Sequence, residues 1–192
     1  MRKSPLAAVL LAAATLALSA CSGSAAPDPD ASSTAAQDEA VAAGTRPLPA
    51  VLDDADGLQT VAEALKVTGI AGAFEGEASY TLLAPTDDAF AAAGERASQL
   101  LGADDHAPLA AFLRAHMLPG YVTLDDINAA ISAAKDGEAT METVSGDALT
   151  FTRSGDAITV AAADGTHAQI AGTAVSGGAS IAIPIDGLLK PM

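Results

Sequence analysis

The spacing of the hydrophobic residues changes along the chain. Between about residues 56 and 133, apolar side chains recur three or four positions apart, which predicts amphipathic helices. From Met141 onward, apolar and polar residues alternate, which predicts half-buried strands. Helices followed by strands indicate an α+β domain with a helical N-terminal half and a β-meander in its C-terminal half, not a parallel α/β sheet.

Residues able to cap a helix precede four of the helical segments: Asp56, Thr86 or Asp87, Asp104 or Asp105, and Thr123. Asp126 follows Thr123 at the spacing of a capping box. A short apolar strand over residues 80–84 precedes the second helix, which is predicted to carry Phe90 and later Leu101. The third helix is predicted to keep one apolar face up to the Pro119-Gly120 stop: Leu109, Phe112, Leu113, His116 and Met117.

Three turn signals separate the alternating segments of the second half: Gly146-Asp147, Ser154-Gly155-Asp156 and Asp164-Gly165. Residues 181–185 form a last alternating strand. Because Pro184 has no N–H for a sheet ladder, this strand is predicted to lie at a sheet edge or to carry a bulge.

The N-terminus has the features of an export signal. Arg2 and Lys3 precede an apolar run over residues 6–18. As a helix this run would span ~20 Å, short of the ~30 Å of a hydrocarbon core, so a signal peptide explains it better than a membrane span.

The chain's only cysteine follows that run. Leu18-Ser19-Ala20-Cys21 is similar to the bacterial lipobox, in which the cysteine thiol receives a diacylglyceryl group. We predict lipid attachment at Cys21; an ordinary secretory signal followed by a chance cysteine is the alternative. Two acyl chains would anchor the protein on the outer face of the cell membrane, or at the outer membrane or periplasm of a two-membrane cell.

The chain is therefore divided into three parts. Residues 1–20 are a lipoprotein signal peptide, residues 21–50 an acidic tether rich in Ser, Ala and Pro, and residues 51–192 one folded domain. The tether has no apolar period, so it cannot bury enough surface to offset its ordering entropy.

The charge balance restricts the partners. Nine Lys and Arg stand against 24 Asp and Glu, a formal charge of −15. Such a chain lacks the clustered positive charge that binds nucleic acid or an anionic membrane surface. One cysteine allows no intrachain disulfide and no cysteine-rich zinc site. Membrane contact would therefore come from the lipid at Cys21.

Three segments resemble signatures of the fasciclin domain family. Residues 81–90 (TLLAPTDDAF) are similar to its strand followed by Ala-Pro-Thr-Asp, residues 112–122 (FLRAHMLPGYV) to its central helix with a histidine, and residues 179–191 (ASIAIPIDGLLKP) to its closing strand. The order and spacing match across residues 51–192. The resemblance implies a β-wedge or sandwich flanked by helices, and a non-enzymatic adhesion role with a protein or glycan partner at the cell envelope. Bacterial members are often lipoproteins with one such domain.

Two positions depart from the family pattern. Ala115 stands where members often have Tyr before the central His116, and Ile183-Pro184 stands where many have a histidine near the closing Asp186. The receptor-binding role linked to the Tyr-His pair in animal members is therefore not transferred to this chain. His116, on an apolar helix face, is expected to be a core histidine, and Asp186 is expected to be structural.

One group of acidic residues has the spacing of calcium ligands. Asp54, Asp56 and Glu63 match EF-hand positions around Gly57. Leu52 would occupy the first ligand position without a side-chain oxygen, so helix capping explains these carboxylates better than calcium.

The other candidates for chemistry have structural explanations too. Asp87 and Asp88 are predicted to cap a helix, Ser180 lies outside a G-x-S-x-G motif, and residues 153–156 (RSGD) are expected to form a hairpin turn, not an adhesion tripeptide. We therefore expect no enzyme, no cofactor and no metal. The alternative to adhesion is a carrier of a small hydrophobic ligand or lipid, because an Ala-rich interior with few aromatics could leave an apolar cleft.

Overall fold

The computed structural model describes residues 46–189. The predicted signal peptide, Cys21 and the tether up to residue 45 lie outside the described residues. The helices are α1 (Leu48–Asp54), α2 (Gln59–Val67), α3 (Asp87–Ala93), α4 (Glu95–Leu101), α5 (Ala107–Ala115) and α6 (Leu124–Ala133), with a 3-10 helix over Ile70–Glu75. The strands are β1 (Tyr80–Pro85), β2 (Met117–Pro119), β3 (Glu138–Glu142), β4 (Ala148–Ser154), β5 (Ala157–Ala162), β6 (His167–Gln169), β7 (Val175–Gly177) and β8 (Ser180–Ile185).

The strands form two four-stranded sheets. The first has the order β2-β1-β8-β7, in which β1 and β8 are parallel. The second has the order β3-β4-β5-β6 and is antiparallel throughout, which confirms the predicted meander. The helices lie mostly before residue 134, so the α+β class is also confirmed.

The two sheets are joined by hydrogen bonds at two places. At the first, Val144 after β3 donates its N–H to the Met117 carbonyl of β2 (2.8 Å). At the second, the Gln169 N–H of β6 donates to Asp186 Oδ1 (2.6 Å), and the Asp186 N–H donates to the Gln169 carbonyl (3.0 Å). These contacts fix the second sheet against β2 and against the end of β8.

The central strands separate two hydrophobic cores. Leu82 and Ala182 face the core that the N-terminal helices cover, whereas Leu83 and Ile183 face the core shared with the second sheet. Because β1 and β8 are buried on both faces, they are almost continuously apolar and show no clear alternation.

The folded region begins before the predicted boundary at residue 51. Helix α1 starts at Leu48, and both Leu48 and Leu52 are fully buried. Residues 48–50, which the sequence assigned to the tether, therefore belong to a helix of the described fold. Proline is tolerated in the first helical turn, where its missing N–H has no intrahelical partner, so Pro49 does not prevent this helix.

Asp56 does not cap α2, contrary to the prediction. The helix begins at Gln59, and its Thr60 N–H donates to Asp87 Oδ1 at 2.9 Å. The cap thus comes from a residue 27 positions away in the chain, which local sequence cannot indicate.

The second predicted helix is two helices. Thr86 caps α3 as predicted, because its hydroxyl accepts the Ala89 N–H at 3.2 Å. Gly94, with φ of 60°, then breaks the segment before α4 begins. A positive φ is readily adopted only by glycine, so the break lies where the sequence permits it.

Helix α5 ends at Ala115, before the predicted stop at Pro119-Gly120. Asp105 accepts the Ala107 N–H at 2.9 Å near the start of this helix, although the N-cap itself is His106. At the other end, Met117 leaves the helix and pairs with Leu82 of β1. Sheet pairing therefore overrides the helical periodicity that continues through Met117.

The last strand, β8, is central, so the predicted edge position is wrong. Its register with β1 is continuous from Ile181 to Ile185, so it carries no bulge toward β1 either. The Pro184 carbonyl accepts the Ala171 N–H at 2.8 Å. The nitrogen of an extended residue faces the same side as its carbonyl, which here is the side away from β1. The pairing of β7 with β8 reaches only Ala182, so no β7 bond is lost at the proline.

The capping box at the start of α6 is confirmed. Thr123 accepts the Asp126 N–H at 3.2 Å, and Asp126 accepts the Thr123 N–H at 2.9 Å. The hydrogen bonds from the Thr123 side chain and backbone lower the pKa of Asp126. A lowered pKa in the folded state means that this stabilisation is present above the unfolded pKa and is lost as the pH falls through the folded one.

We expect Asp126→Asn to be less stable than the wild type at neutral pH and to approach it in acid. The reason is that protonation of Asp126 removes the same carboxylate that the substitution removes. Urea unfolding followed by circular dichroism between pH 7 and pH 2 would measure the difference. Asp125→Asn, also in the first turn of α6, is the control. If the free energy of unfolding of Asp126→Asn differs from that of the wild type by the same amount at every pH in this range, the prediction is contradicted.

Candidate functional site

An apolar groove lies between the helical half of the domain and the turn that follows β3. Its volume is about 250 Å³. We call it the Arg114 groove. It is lined by Thr68, Gly69, Ile70, Ala73, Tyr80, Arg114, Met117 and Val144.

Several elements position these side chains. The Tyr80 ring, at the start of β1, packs edge-to-face on Phe74 with centroids 5.8 Å apart. Met117 starts β2 at one side of the groove, and the hydrogen bond from Val144 to the Met117 carbonyl holds the opposite wall. The walls therefore belong to the packed framework of the domain.

Two residues that line the groove carry polar groups with no partner among residues 46–189. Neither the Arg114 guanidinium nor the Tyr80 hydroxyl makes a hydrogen bond or an ion pair with any described residue. The hydroxyl of Thr68 is different, because it donates to the Ala64 carbonyl at 2.7 Å. Arg114 and Tyr80 can therefore both hydrogen-bond to a ligand.

The rim of the groove exposes apolar side chains. Among the described residues, three large hydrophobic side chains are exposed: Val67 at 40%, Tyr121 at 46% and Val144 at 42%. Val144 lines the groove, and Val67 directly precedes the lining residue Thr68. Two of these three exposed side chains, Val67 and Val144, thus lie at or beside the groove.

Two other cavities lie elsewhere in the domain. A cleft of about 370 Å³ lies against Pro184, with the Thr86 and Thr173 hydroxyls and the Asp56 carboxylate among its polar groups. A cavity of about 80 Å³ lies beside Leu189. Neither has a cationic side chain among its lining residues within 46–189.

His116 is in the core, as predicted. It is fully buried, its Nδ1 lies 2.8 Å from the Phe112 carbonyl, and its Nε2 accepts the Leu189 N–H at 3.0 Å. Its ring also packs on the Phe112 ring, with centroids 4.2 Å apart. His116 therefore joins the end of α5 to the C-terminal segment.

The carboxylates with calcium-ligand spacing are dispersed. Asp53 and Asp54 lie on α1 and form ion pairs of 2.7 Å with Lys66 and Arg46. Asp56 lies on the turn before α2, and Glu63 lies on α2. Within residues 46–189, no group of three or more His, Cys, Asp or Glu side chains is arranged to hold a metal ion.

The other residues that the sequence offered as candidates for chemistry have structural roles. Ser180 is buried, and its hydroxyl accepts the Tyr80 N–H at 3.0 Å. Asp186 connects β8 to β6 through Gln169. The predicted hairpin turn within residues 153–156 is confirmed: Gly155 and Asp156 connect β4 to β5, whereas Arg153 and Ser154 are the last residues of β4. Cys21, the predicted lipid-attachment site, lies outside the described residues.

Comparison with known proteins decides the family. The model of the fasciclin domain matches residues 56–191. The chain belongs to the fasciclin family. Fasciclin domains are known as non-enzymatic adhesion modules, so the domain is of a cell-adhesion type.

A solved structure supports the fold. The FAS1 domain pair of the insect cell adhesion molecule fasciclin I superposes with a TM-score of 0.56 at 19% sequence identity. The match covers 69% of this chain and 45% of that one, so this chain spans less than half of that structure. No curated protein matches the chain. None of the helices between residues 46 and 189 is long and apolar enough to cross a membrane.

Sequence analysis missed the two polar groups of the groove. Arg114 and Tyr80 are 34 positions apart and belong to no motif with a binding mechanism. The only local signal is that Arg114 interrupts an otherwise apolar helix segment, and arginine at an exposed helix position is common.

Proposed function

We propose that this protein is a lipid-anchored fasciclin module on the cell surface, which binds a protein or glycan partner at the cell envelope. The observation that carries the proposal is the lipobox-like sequence ending in Cys21, placed ahead of a single fasciclin domain. About 26 residues separate Cys21 from α1, which is enough chain to hold the domain away from the bilayer.

The charge of the domain supports this arrangement. Residues 46–189 contain 20 Asp and Glu and six Lys and Arg. Anionic lipid headgroups repel such a surface, so the acyl chains would provide the attachment while the domain faces outward. A partner that binds through hydrogen bonds and apolar contacts, or through positive charge, suits this surface.

We expect Cys21→Ser to abolish lipid incorporation and to release the protein from the membrane fraction. Labelling of cells with radioactive palmitate, followed by fractionation, would measure both effects. Ser19→Ala, which keeps a small residue beside the cleavage site, is the control and should retain the label. Palmitate incorporation that persists in Cys21→Ser would disprove attachment at this residue.

The adhesion role is tested separately from the anchor. Chain 21–192 carrying Cys21→Ser, immobilised on beads, should retain envelope proteins or polymers from cells of its own source, and should lose them after substitution of its exposed residues. Beads carrying an unrelated protein of similar acidity are the control. If they retain the same envelope proteins or polymers in the same amounts, binding by this domain is not specific.

A carrier of a small hydrophobic ligand is the second candidate. The Arg114 groove favours it, because the groove combines apolar walls with two unpartnered polar groups.

A further inference from the structure

We propose that the Arg114 groove binds an amphiphilic monocarboxylate, a single acyl chain whose carboxylate contacts the Arg114 guanidinium and the Tyr80 hydroxyl. This site goes beyond the surface role proposed above and develops the carrier alternative. It does not depend on lipid attachment at Cys21.

The apolar walls define the chain part of the ligand. Ile70, Ala73, Met117 and Val144 line the groove with side chains that offer no hydrogen bond to a polar ligand. Burial of apolar surface is favourable roughly in proportion to its area, so an alkyl chain gains affinity along these walls.

The volume limits the ligand to one chain of medium length. Sites for drug-sized ligands have volumes of about 300–1,000 Å³. A groove of about 250 Å³ is smaller. A lipid with two long chains would leave most of its apolar surface in water, whereas one acyl chain of medium length suits this volume.

The polar groups define the head of the ligand. A guanidinium presents a planar set of donors that matches a carboxylate, and hydrogen bonds to charged groups are stronger than neutral ones. Tyr80 also lines the groove, and its hydroxyl can serve as a second donor. Counting only lining residues within 46–189, this groove has a cation and the other two cavities do not.

The charge of the domain favours a monoanion over a dianion. The 20 acidic side chains of residues 46–189 repel any anion, and Arg114 contributes one positive charge to the groove. One guanidinium balances one carboxylate, but it leaves a phosphate monoester with excess negative charge in an already negative field. Carboxylate is therefore preferred to phosphate as the headgroup.

The test is titration of chain 21–192 carrying Cys21→Ser with carboxyl-labelled ¹³C-decanoate, below the concentration at which decanoate forms micelles. The label should shift on binding, and the affinity should fall about tenfold or more in Arg114→Gln and a few-fold in Tyr80→Phe. Decanol, which lacks the charge, should bind more weakly and should not distinguish the wild type from Arg114→Gln. Circular dichroism would verify that each variant is folded.

Matched control variants come from outside the groove. Arg153→Gln removes an exposed cation from β4, and Tyr121→Phe removes a hydroxyl that contacts Ser176. Both should bind decanoate like the wild type. No shift of the label, or equal affinity in Arg114→Gln and Arg153→Gln, would overturn the proposal.

Other ligands complete the test. Decyl phosphate that binds more tightly than decanoate would overturn the choice of carboxylate. A short apolar peptide with a free C-terminus that binds more tightly than decanoate would assign the groove to peptides and overturn the acyl assignment. The protein in this titration carries no lipid, so the result is independent of the palmitate experiment.

Discussion

His116→Ala is expected to destabilise the domain by about 3–4 kcal/mol. The Phe112 carbonyl only accepts and the Leu189 N–H only donates, so His116 carries its proton on Nδ1 and accepts at Nε2. Alanine leaves both backbone groups without these bonds inside the core, and it also leaves a cavity beside the Phe112 ring. Single domains are stable by only about 5–15 kcal/mol, so the loss is large.

Urea unfolding followed by far-UV circular dichroism would measure this loss, since the chain has no Trp. His167→Ala is the matched control, because His167 is exposed on β6 and its loss should change the stability by less than about 0.5 kcal/mol. If the two variants unfold at the same urea concentration, His116 does not have the structural role argued above.

The effect of His116→Ala should also reach beyond its own helix. The His116 carbonyl accepts the Leu83 N–H of β1 at 2.8 Å, and its side chain holds the backbone at Leu189. Hydrogen exchange should therefore quicken first in the C-terminal segment, where the bond to Nε2 is lost, and less in β1, where the backbone bond persists.

The features that sequence analysis predicted correctly depend on local contacts. Thr123 and Asp126 are three residues apart, and both bonds of their capping box are made within that span. The alternation between residues 148 and 162 likewise needs only one buried and one open face of a hairpin. Such signals survive because their physical cause lies within a few residues.

The features that were missed depend on contacts between distant residues. Asp87 replaces Asp56 at the start of α2, and Pro184 is tolerated in a central strand because β7 has already diverged from β8. The Arg114 groove exists only because β1, β2 and the turn after β3 meet there. No periodicity within one segment contains that information, although the family resemblance supplied the overall fold.

The packing of α1, which the sequence did not predict to begin at Leu48, depends on Gly177. A substitution at Gly177 is therefore expected to have the second large effect on stability. This residue of β7 is buried directly beneath α1, and a Cβ added to it would lie 2.6 Å from Leu48 Cα and 2.8 Å from Leu48 N. Both atoms belong to backbone, so no side chain can rotate to make room. Gly177 thus explains how α1 approaches the first sheet closely enough to bury Leu48.

We expect Gly177→Ala to destabilise the domain by about 3 kcal/mol, since α1 must move away from β7 to relieve the overlap. Leu48 would then lose part of its burial, and limited proteolysis should cut the chain within residues 48–54 more rapidly in Gly177→Ala than in the wild type. Gly72→Ala is the matched control: a Cβ there meets no atom within 4 Å and its φ is not in the positive range, so its stability should stay close to the wild type. Equal melting temperatures for Gly177→Ala and Gly72→Ala would mean that α1 does not pack on β7, and that the folded domain begins after residue 50 as its sequence predicts.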